Sequence, residues 1–331
     1  STDSIQKILT QQIDEVREEQ QLRPEIKALS TINNNVSQAV REQYEENPYP
    51  RWVNPGLAPK PKTIRTVLQE LKIDLDRTGQ HFPSHPEILI AGCGTGQHSL
   101  STASRFSNSS VLAVDLSLSS LSYAIRKTQE LGISNIDYMH ADILELHKLD
   151  RQFDLIESAG VLHHMAEPLA GWKVLVDLLR PRGLMKIGLY SEIARQHIVE
   201  TRTFIAKNNY GSSQEAIRQC RVDIIEMPTK TDSKIPKVLN SSDFYSLSTC
   251  RDLLFHVQEH RFTLPEIETA LKELGLMFIG FELQDHHRVT TRFKELNPRK
   301  ESLTSLPLWH QFELNHPDTF AGMYQFWVQK I

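Results

Sequence analysis

Glu87-Ile88-Leu89-Ile90-Ala91 is a short apolar run that ends directly in Gly92-Cys93-Gly94-Thr95-Gly96 and then passes into a helix-forming stretch. Three glycines in five positions, placed between a buried strand and a helix, allow a tight turn and a close backbone approach by a ligand. The helix N-terminus beyond them offers free N–H groups. Similar short apolar runs follow at 110–114, 153–156 and 184–189, with a less apolar one at 135–141. Helical segments at 117–131 and 169–179 lie between them. Buried runs alternating with helices predict a mostly parallel sheet covered on both faces, an α/β Rossmann-like fold.

Other patterns surround this core. Residues 4–29 carry Ile5, Ile8, Leu9, Ile13 and Val16 at helical spacing until Pro24 interrupts them. A second helix is expected at 35–46, with Val36, Val40 and Tyr44 at steps of four, stopping at Asn47-Pro48-Tyr49-Pro50. A third is expected at 63–73. From 191 to 264 the alternation lapses, and 228–243 has the composition of a polar loop. A helix at 265–274 and strands at 277–283 and 320–328 complete the pattern. The domain organisation expected is an N-terminal helical arm at 1–50, core halves at 51–190 and 265–331, and an insertion at 191–264 capping the acceptor side.

Charge and composition narrow the function classes. Lys and Arg number 37 against 41 Asp and Glu, so nothing in the balance favours nucleic-acid binding. No stretch of eighteen apolar residues is present to span a membrane. The N-terminus lacks the basic-then-apolar order of a signal peptide, and three cysteines make no disulfide framework. A cytoplasmic protein is expected. Because the chain starts at Ser1, a piece of a longer protein is expected, and the N-terminal helix is a candidate for self-association or partner docking.

Two acidic residues suggest which ligand the glycine loop holds. Asp115 ends the second strand nineteen residues after Gly96, where a carboxylate can accept both hydroxyls of a ribose. Asp142 ends the third strand and is followed by Ile143, a carboxylate beside a flat apolar wall. A dinucleotide fingerprint needs a small residue where this chain has Gln97, and the phosphate loop G-x-x-x-x-G-K-[ST] is absent. An adenosyl ligand without phosphate needs neither. An alternative role for Asp115 is to cap the next helix.

In the segments ILIAGCGTGQH, VLAVDLS, HADI, FDLIESAGVLHHM and LLRPRGLMKIGLY, all within 87–190, the chain resembles class I S-adenosylmethionine-dependent methyltransferases. The resemblance implies a seven-stranded sheet and S-adenosylmethionine as cofactor. It places Gly92, Gly94 and Gly96 at the methionine end, with Cys93 packing under the loop, and the Gly92 carbonyl, Gln97 or a residue of the N-terminal arm are the candidates to face the ammonium group. It gives Asp115 the ribose, Asp142 the adenine amino group, Leu116 and Ile143 the adenine faces, and Gly160 and Val161 the border with the acceptor. Many members carry Asp or Glu two residues before the first glycine, where this chain has Ile90, so another group must face the cofactor's ammonium. The segment NPYPRW resembles bacterial methyltransferases linked to tetratricopeptide repeats. Tyr44, Tyr49, Arg51 and Trp52 would then form a lid over the sulfonium, or else dock the arm on the core.

The acceptor is unidentified, and an O or N atom is expected to receive the methyl group. Two histidine sites are candidates for removing its proton. His163, with His164, follows the fourth strand. His256, Glu259 and His260 form H-x-x-E-H, which on a helix would set both imidazoles on one face with a carboxylate beside them. The same pattern leaves open a zinc hydrolase, although no metal is expected, and the Ile90 departure leaves open a binding module on a degenerate core.

Overall fold

The computed structural model describes residues 5–6, 9–50, 52–73, 75, 82–228 and 232–331. Strands β1 (Glu87–Ala91), β2 (Ser110–Asp115), β3 (Ile136–His140), β4 (Phe153–Ala159), β5 (Leu179–Leu189), β6 (Leu276–Phe281) and β7 (Tyr324–Lys330) form one sheet in the order β3-β2-β1-β4-β5-β7-β6. The first five are parallel, and β7 runs antiparallel between β5 and β6. This is the Rossmann-like methyltransferase arrangement. Strand order reverses between β1 and β4, which opens a crevice at their carboxyl ends.

Alternation along each strand divides the core in two. Ile88, Ile90, Val111, Ala113 and Leu155 face one layer, while Leu89, Ala91, Leu112, Val114 and Ile156 face the other. In the arm, the helices are α1 (Glu15–Leu22) and α2 (Asn35–Glu46). The first layer is built by α3 (Ile64–Glu70), α4 (Gln97–Arg105) and α5 (Leu118–Glu130). On the opposite face, α6 (Pro168–Leu178) supplies Trp172 and Leu175.

Segment 191–264, where the strand–helix alternation lapses, folds as a helical unit. Helices α7 (Gln196–Lys207), α8 (Gln214–Ile225) and α9 (Leu247–Phe255) bury Ile198, Ile217, Cys220, Ile224 and Leu254 in a core of their own. The polar loop expected at 228–243 contains 3-10 turns at Ile235–Asn240 and Ser242–Tyr245 that bury Val238 and Phe244. Helices α10 (Leu264–Glu273), α11 (His286–Leu296) and α12 (Leu306–Asn315) then complete the second layer. The last strand begins at Tyr324 rather than 320. Phe320 instead packs against Phe281, with centroids 4.7 Å apart, as a plug ahead of the strand.

The arm is bound to the core by polar contacts. Arg126 of α5 is buried and pairs with Glu15 and Glu19 of α1, each at 3.0 Å. Ala28 forms a bridge with His140, and its neighbours exchange backbone bonds with that residue at 2.8 and 3.0 Å. The bridge occupies part of the otherwise free β3 edge. Asn34 caps α2 by accepting from the N–H groups of Val36 and Ser37. Glu45 at the far end of α2 accepts from the Leu118 and Ser119 N–H groups, so the arm also caps α5. Ile5, Leu9 and Ile13 remain exposed. Among the described residues no helix is long and apolar enough to cross a membrane.

Candidate active site

The Gly92 and Cys93 N–H groups both donate to the Val114 carbonyl, at 2.9 and 3.0 Å, which pins the glycine loop to the end of β2. Gly94 lies at φ +52, and a Cβ there would meet the Tyr49 carbonyl at 2.8 Å, so the arm rests on the loop backbone. Gly96 lies at φ +86, where a Cβ would approach Ala124 of α5 to 2.6 Å. Glycine at 96 therefore serves helix packing.

Asp115 joins the loop to the next helix. Its Oδ2 accepts from the Gly94 N–H at 2.7 Å and its Oδ1 from the Ser117 N–H at 2.9 Å. Burial raises its carboxyl above the usual range, against the lowering effect of those two bonds. The helix-capping alternative for Asp115 is corrected: Ser117 caps α5 by accepting from the Ser120 N–H. Asp142 accepts from Leu144 N–H and caps the 3-10 turn Ile143–Lys148.

A cavity of about 270 Å³ opens at this switch point. Gly92, Cys93, Gly94, Gln97, Asp115 and Leu116 line one side, and Asp142, Ile143, Gly160 and Val161 continue it. The arm contributes Val40, Tyr44 and Tyr49, and the insertion contributes Asp252. Cys93 is buried, and burial pushes its thiol well above the usual range. Gly96 and Trp52 do not line the cavity. The Trp52 indole N–H donates to Thr95 O at 3.2 Å and its ring meets Tyr123 edge-on, so this residue docks the arm. Arg51 lies outside the described residues.

The histidine expectations need correction. Helix α9 ends at Phe255, and His256 turns into extended backbone with ψ 135. His260 N–H donates to His163 O at 2.7 Å, and Phe262 N–H donates to Tyr190 O at 2.9 Å. These tertiary bonds hold 256–262 as an irregular strip beside the core, so His256 and His260 share no helical face and the zinc helix does not form. Glu259 is 1% exposed and grips Arg195 at 2.8 and 3.3 Å, with Arg202 and Arg261 within 3.8 Å. It therefore orients no imidazole. His256 is buried and its pKa falls to about 2, chiefly through burial, opposite to the rise expected of a base beside a carboxylate. His260 hydrogen-bonds with Gln258 and lies outside the cavity. His163 is fully buried, stacked on Tyr190 at 3.8 Å, with both ring nitrogens unpartnered among the described residues, and burial holds its pKa well below the usual range. It is His164, its neighbour, that lines the cavity.

Sequence reasoning passed over His98, Met165, Tyr190, Asp252 and Met323, all on the cavity wall. Tyr44 O–H donates to Asp252 Oδ1 at 2.7 Å. Gln258 N–H donates to His256 Nδ1, so the proton sits on Nε2, 3.2 Å from the Tyr44 oxygen. A directed chain thus runs from His256 through Tyr44 to Asp252, whose pKa rises to about 6 through burial. Tyr190, at the carboxyl end of β5, had a positional signal. Asp252 had none, because only the tertiary fold brings it to the arm.

Residues 88–183 match the family model described as a methyltransferase domain. An uncharacterized protein of Synechococcus is 26% identical over 254 residues, 72% of this chain and 60% of that protein. The tRNA 5-carboxymethoxyuridine methyltransferase of Escherichia coli is 30% identical over 121 residues, covering 36% of this chain and 46% of that enzyme. The structure of PKMT2 from Rickettsia typhi in complex with AdoHcy superposes with a TM-score of 0.61 at 15% identity, over 82% of this chain and 54% of that one. The chain thus spans 60% or less of the length of these relatives. From the matched domain and the sheet around it, the chain is similar over residues 88–183 to S-adenosylmethionine-dependent methyltransferases and shares their Rossmann-like fold.

Proposed function

We propose that this chain transfers the methyl group of S-adenosylmethionine to an O or N atom of an acceptor held between the arm and the insertion. The observation that carries the reading is Asp115, whose carboxylate ties the Gly94 turn to the start of α5 on the wall of the cavity. In that position it suits the ribose hydroxyls, with Leu116 and Ile143 flanking the adenine and Asp142 facing its amino group. The cofactor supplies an activated methyl on a cationic sulfur. The chain's own residues supply alignment, which is worth about 7–11 kcal/mol when geometry is held. Titration calorimetry with S-adenosylhomocysteine tests the reading, and absence of binding heat would refute it. Bound cofactor with no transfer of labelled methyl to any component of a cell lysate would favour the binding-module alternative.

His98 supports this reading at the methionine end. Position 90 lacks the carboxylate many relatives have, but its register partner on β4 is Glu157. Glu157 is fully buried; burial works to raise its pKa, and the bond from His98 with the charge of Arg105 holds it well below the usual range. Thr102, Arg105 and His98 occupy its oxygens at 2.6, 3.0 and 2.7 Å. What reaches the cavity is therefore the His98 ring, with Nε2 donating to Glu157 and Nδ1 left for the cofactor's amino-acid group. His98→Ala should weaken S-adenosylhomocysteine about tenfold and leave methylthioadenosine, which lacks that group, within twofold. Equal losses for both ligands would remove His98 from the role. We further read the Asn47–Trp52 segment as marking the methyltransferase part of a longer repeat-linked protein, a reading supported by the partial coverage of the relatives.

A further inference from the structure

The cavity wall beyond Gly160 has one chemical character. It carries the rings of Tyr44, Tyr49 and Tyr190, the thioether of Met165, and two groups that accept hydrogen bonds, Asp252 and His164. His164 Nδ1 meets the Gln258 carbonyl at 2.6 Å and must be the protonated nitrogen, which leaves Nε2 with a lone pair. Burial lowers the pKa of this ring to about 3, so it stays neutral. Asp252 has Oδ1 occupied by Tyr44, and among the described residues nothing donates to Oδ2. Asp115, Asp142 and Asp252 line the cavity, and among its described lining residues there is no Lys or Arg. Arg195, whose guanidinium lies 3.6 Å from the Tyr190 ring centroid, is held by Glu259 behind it. An anionic acceptor would thus meet carboxylates and lone pairs, while a cation would meet aromatic faces and acceptors.

We propose that this end of the cavity is an acceptor subsite for an amine, in which Asp252 accepts the proton that an arriving ammonium group must lose. The proposal rests on the methyltransferase reading above. R–NH3⁺ gives one proton to the Asp252 carboxylate and becomes R–NH2, with a lone pair free. That pair forms the new N–C bond to the transferred methyl as the C–S bond breaks, its electrons staying on sulfur. The products are R–NH2⁺–CH3 and neutral S-adenosylhomocysteine, and Asp252 returns its proton to water as they leave. Asp252 faces Tyr44, whose hydroxyl also meets His256, with the charges of Arg195, Asp243 and Glu259 nearby. Burial places its pKa near that of a base active at neutral pH.

Sinefungin tests the proposal, because it carries a primary amine where the cofactor carries its methyl sulfonium. Calorimetry at pH 7.5 should show sinefungin binding at least tenfold more tightly than S-adenosylhomocysteine. Asp252→Asn should remove that preference while leaving S-adenosylhomocysteine within about twofold. A preference that survives Asp252→Asn, or no preference in the wild-type protein, would overturn the amine subsite. Should the variant fail to fold, the wild-type comparison alone decides. If neither ligand binds the wild-type protein, the cofactor reading itself fails, which separates the two outcomes.

Discussion

Asp115→Ala perturbs two properties at once, and the structure sets both magnitudes. In the free protein the carboxylate satisfies two backbone donors, Gly94 N–H and Ser117 N–H. Truncation leaves both unpaired, at about 1–3 kcal/mol each. Asp115 keeps partial access to solvent, so water replaces some of the loss and the lower range applies, about 2–3 kcal/mol in total. For a chain of this size each kcal/mol shifts Tm by roughly 2–4 °C, so melting should fall by about 4–12 °C without ligand. Cofactor binding then loses the ribose acceptor as well, a further ~1–3 kcal/mol, or roughly 5–150-fold in Kd for S-adenosylhomocysteine. Asp115→Asn keeps one accepting oxygen and sets its NH2 against the other donor, so it should fall between wild type and Ala in both readouts. Differential scanning calorimetry followed by ligand titration on the same samples measures both. An Ala variant that melts with the wild type, or binds S-adenosylhomocysteine within twofold, would show that Asp115 neither shapes the loop nor holds the ribose.

Three further outcomes follow from buried polar groups and the arm. Glu157→Gln leaves Arg105 and His98 facing a neutral amide inside the protein, and should cost about 3–5 kcal/mol in urea unfolding; a change under 1 kcal/mol would mean the pair is inert. His163 has a folded pKa well below its unfolded value near 6.5, so its neutral form contributes stability present above pH 6.5 and lost as pH falls. Between pH 6 and 5 wild type should therefore lose more stability than His163→Phe; parallel pH curves would contradict the burial argument. Trp52→Ala removes a buried indole and its bond to Thr95, at about 3–5 kcal/mol; an unchanged denaturation midpoint would show that this residue does not anchor the arm.

The core was legible because its signals are local. Five parallel strands, the glycine loop and the aspartates at strand ends depend on neighbours within a few residues, and each lies near its expected position. The insertion was legible as a break in the pattern but its helices were not, because α7, α8 and α9 bury their apolar faces against one another, without the strand–helix alternation that marked the core. The H-x-x-E-H segment misled for a related reason. Its residues suit a helix, yet backbone bonds to His163 and Tyr190 draw the chain into an extended path, and no periodicity records such partners. At the site, Gly94 and Asp115 could be singled out because sequence spacing and chemistry coincide. Asp252 could not, since its meaning comes from Tyr44, 208 residues away.

That separation also bears on how the molecule assembles. Tyr44–Asp252, Glu46–Arg251 and Gln43–Val257 join segments 205–214 residues apart, and the first of them lies on the cavity wall. Loop closure costs about 0.6 kcal/mol more for each doubling of length, so these contacts carry roughly 2 kcal/mol more ordering entropy than a contact twenty residues apart. During synthesis α2 leaves the ribosome long before its partners on α9 exist, and for that interval the glycine loop has no ceiling. In the finished protein the same seam joins two pieces through a few polar contacts, while the sheet beneath is continuous. The seam should therefore open by itself, well below global unfolding, and widen the entrance to the cavity beneath it.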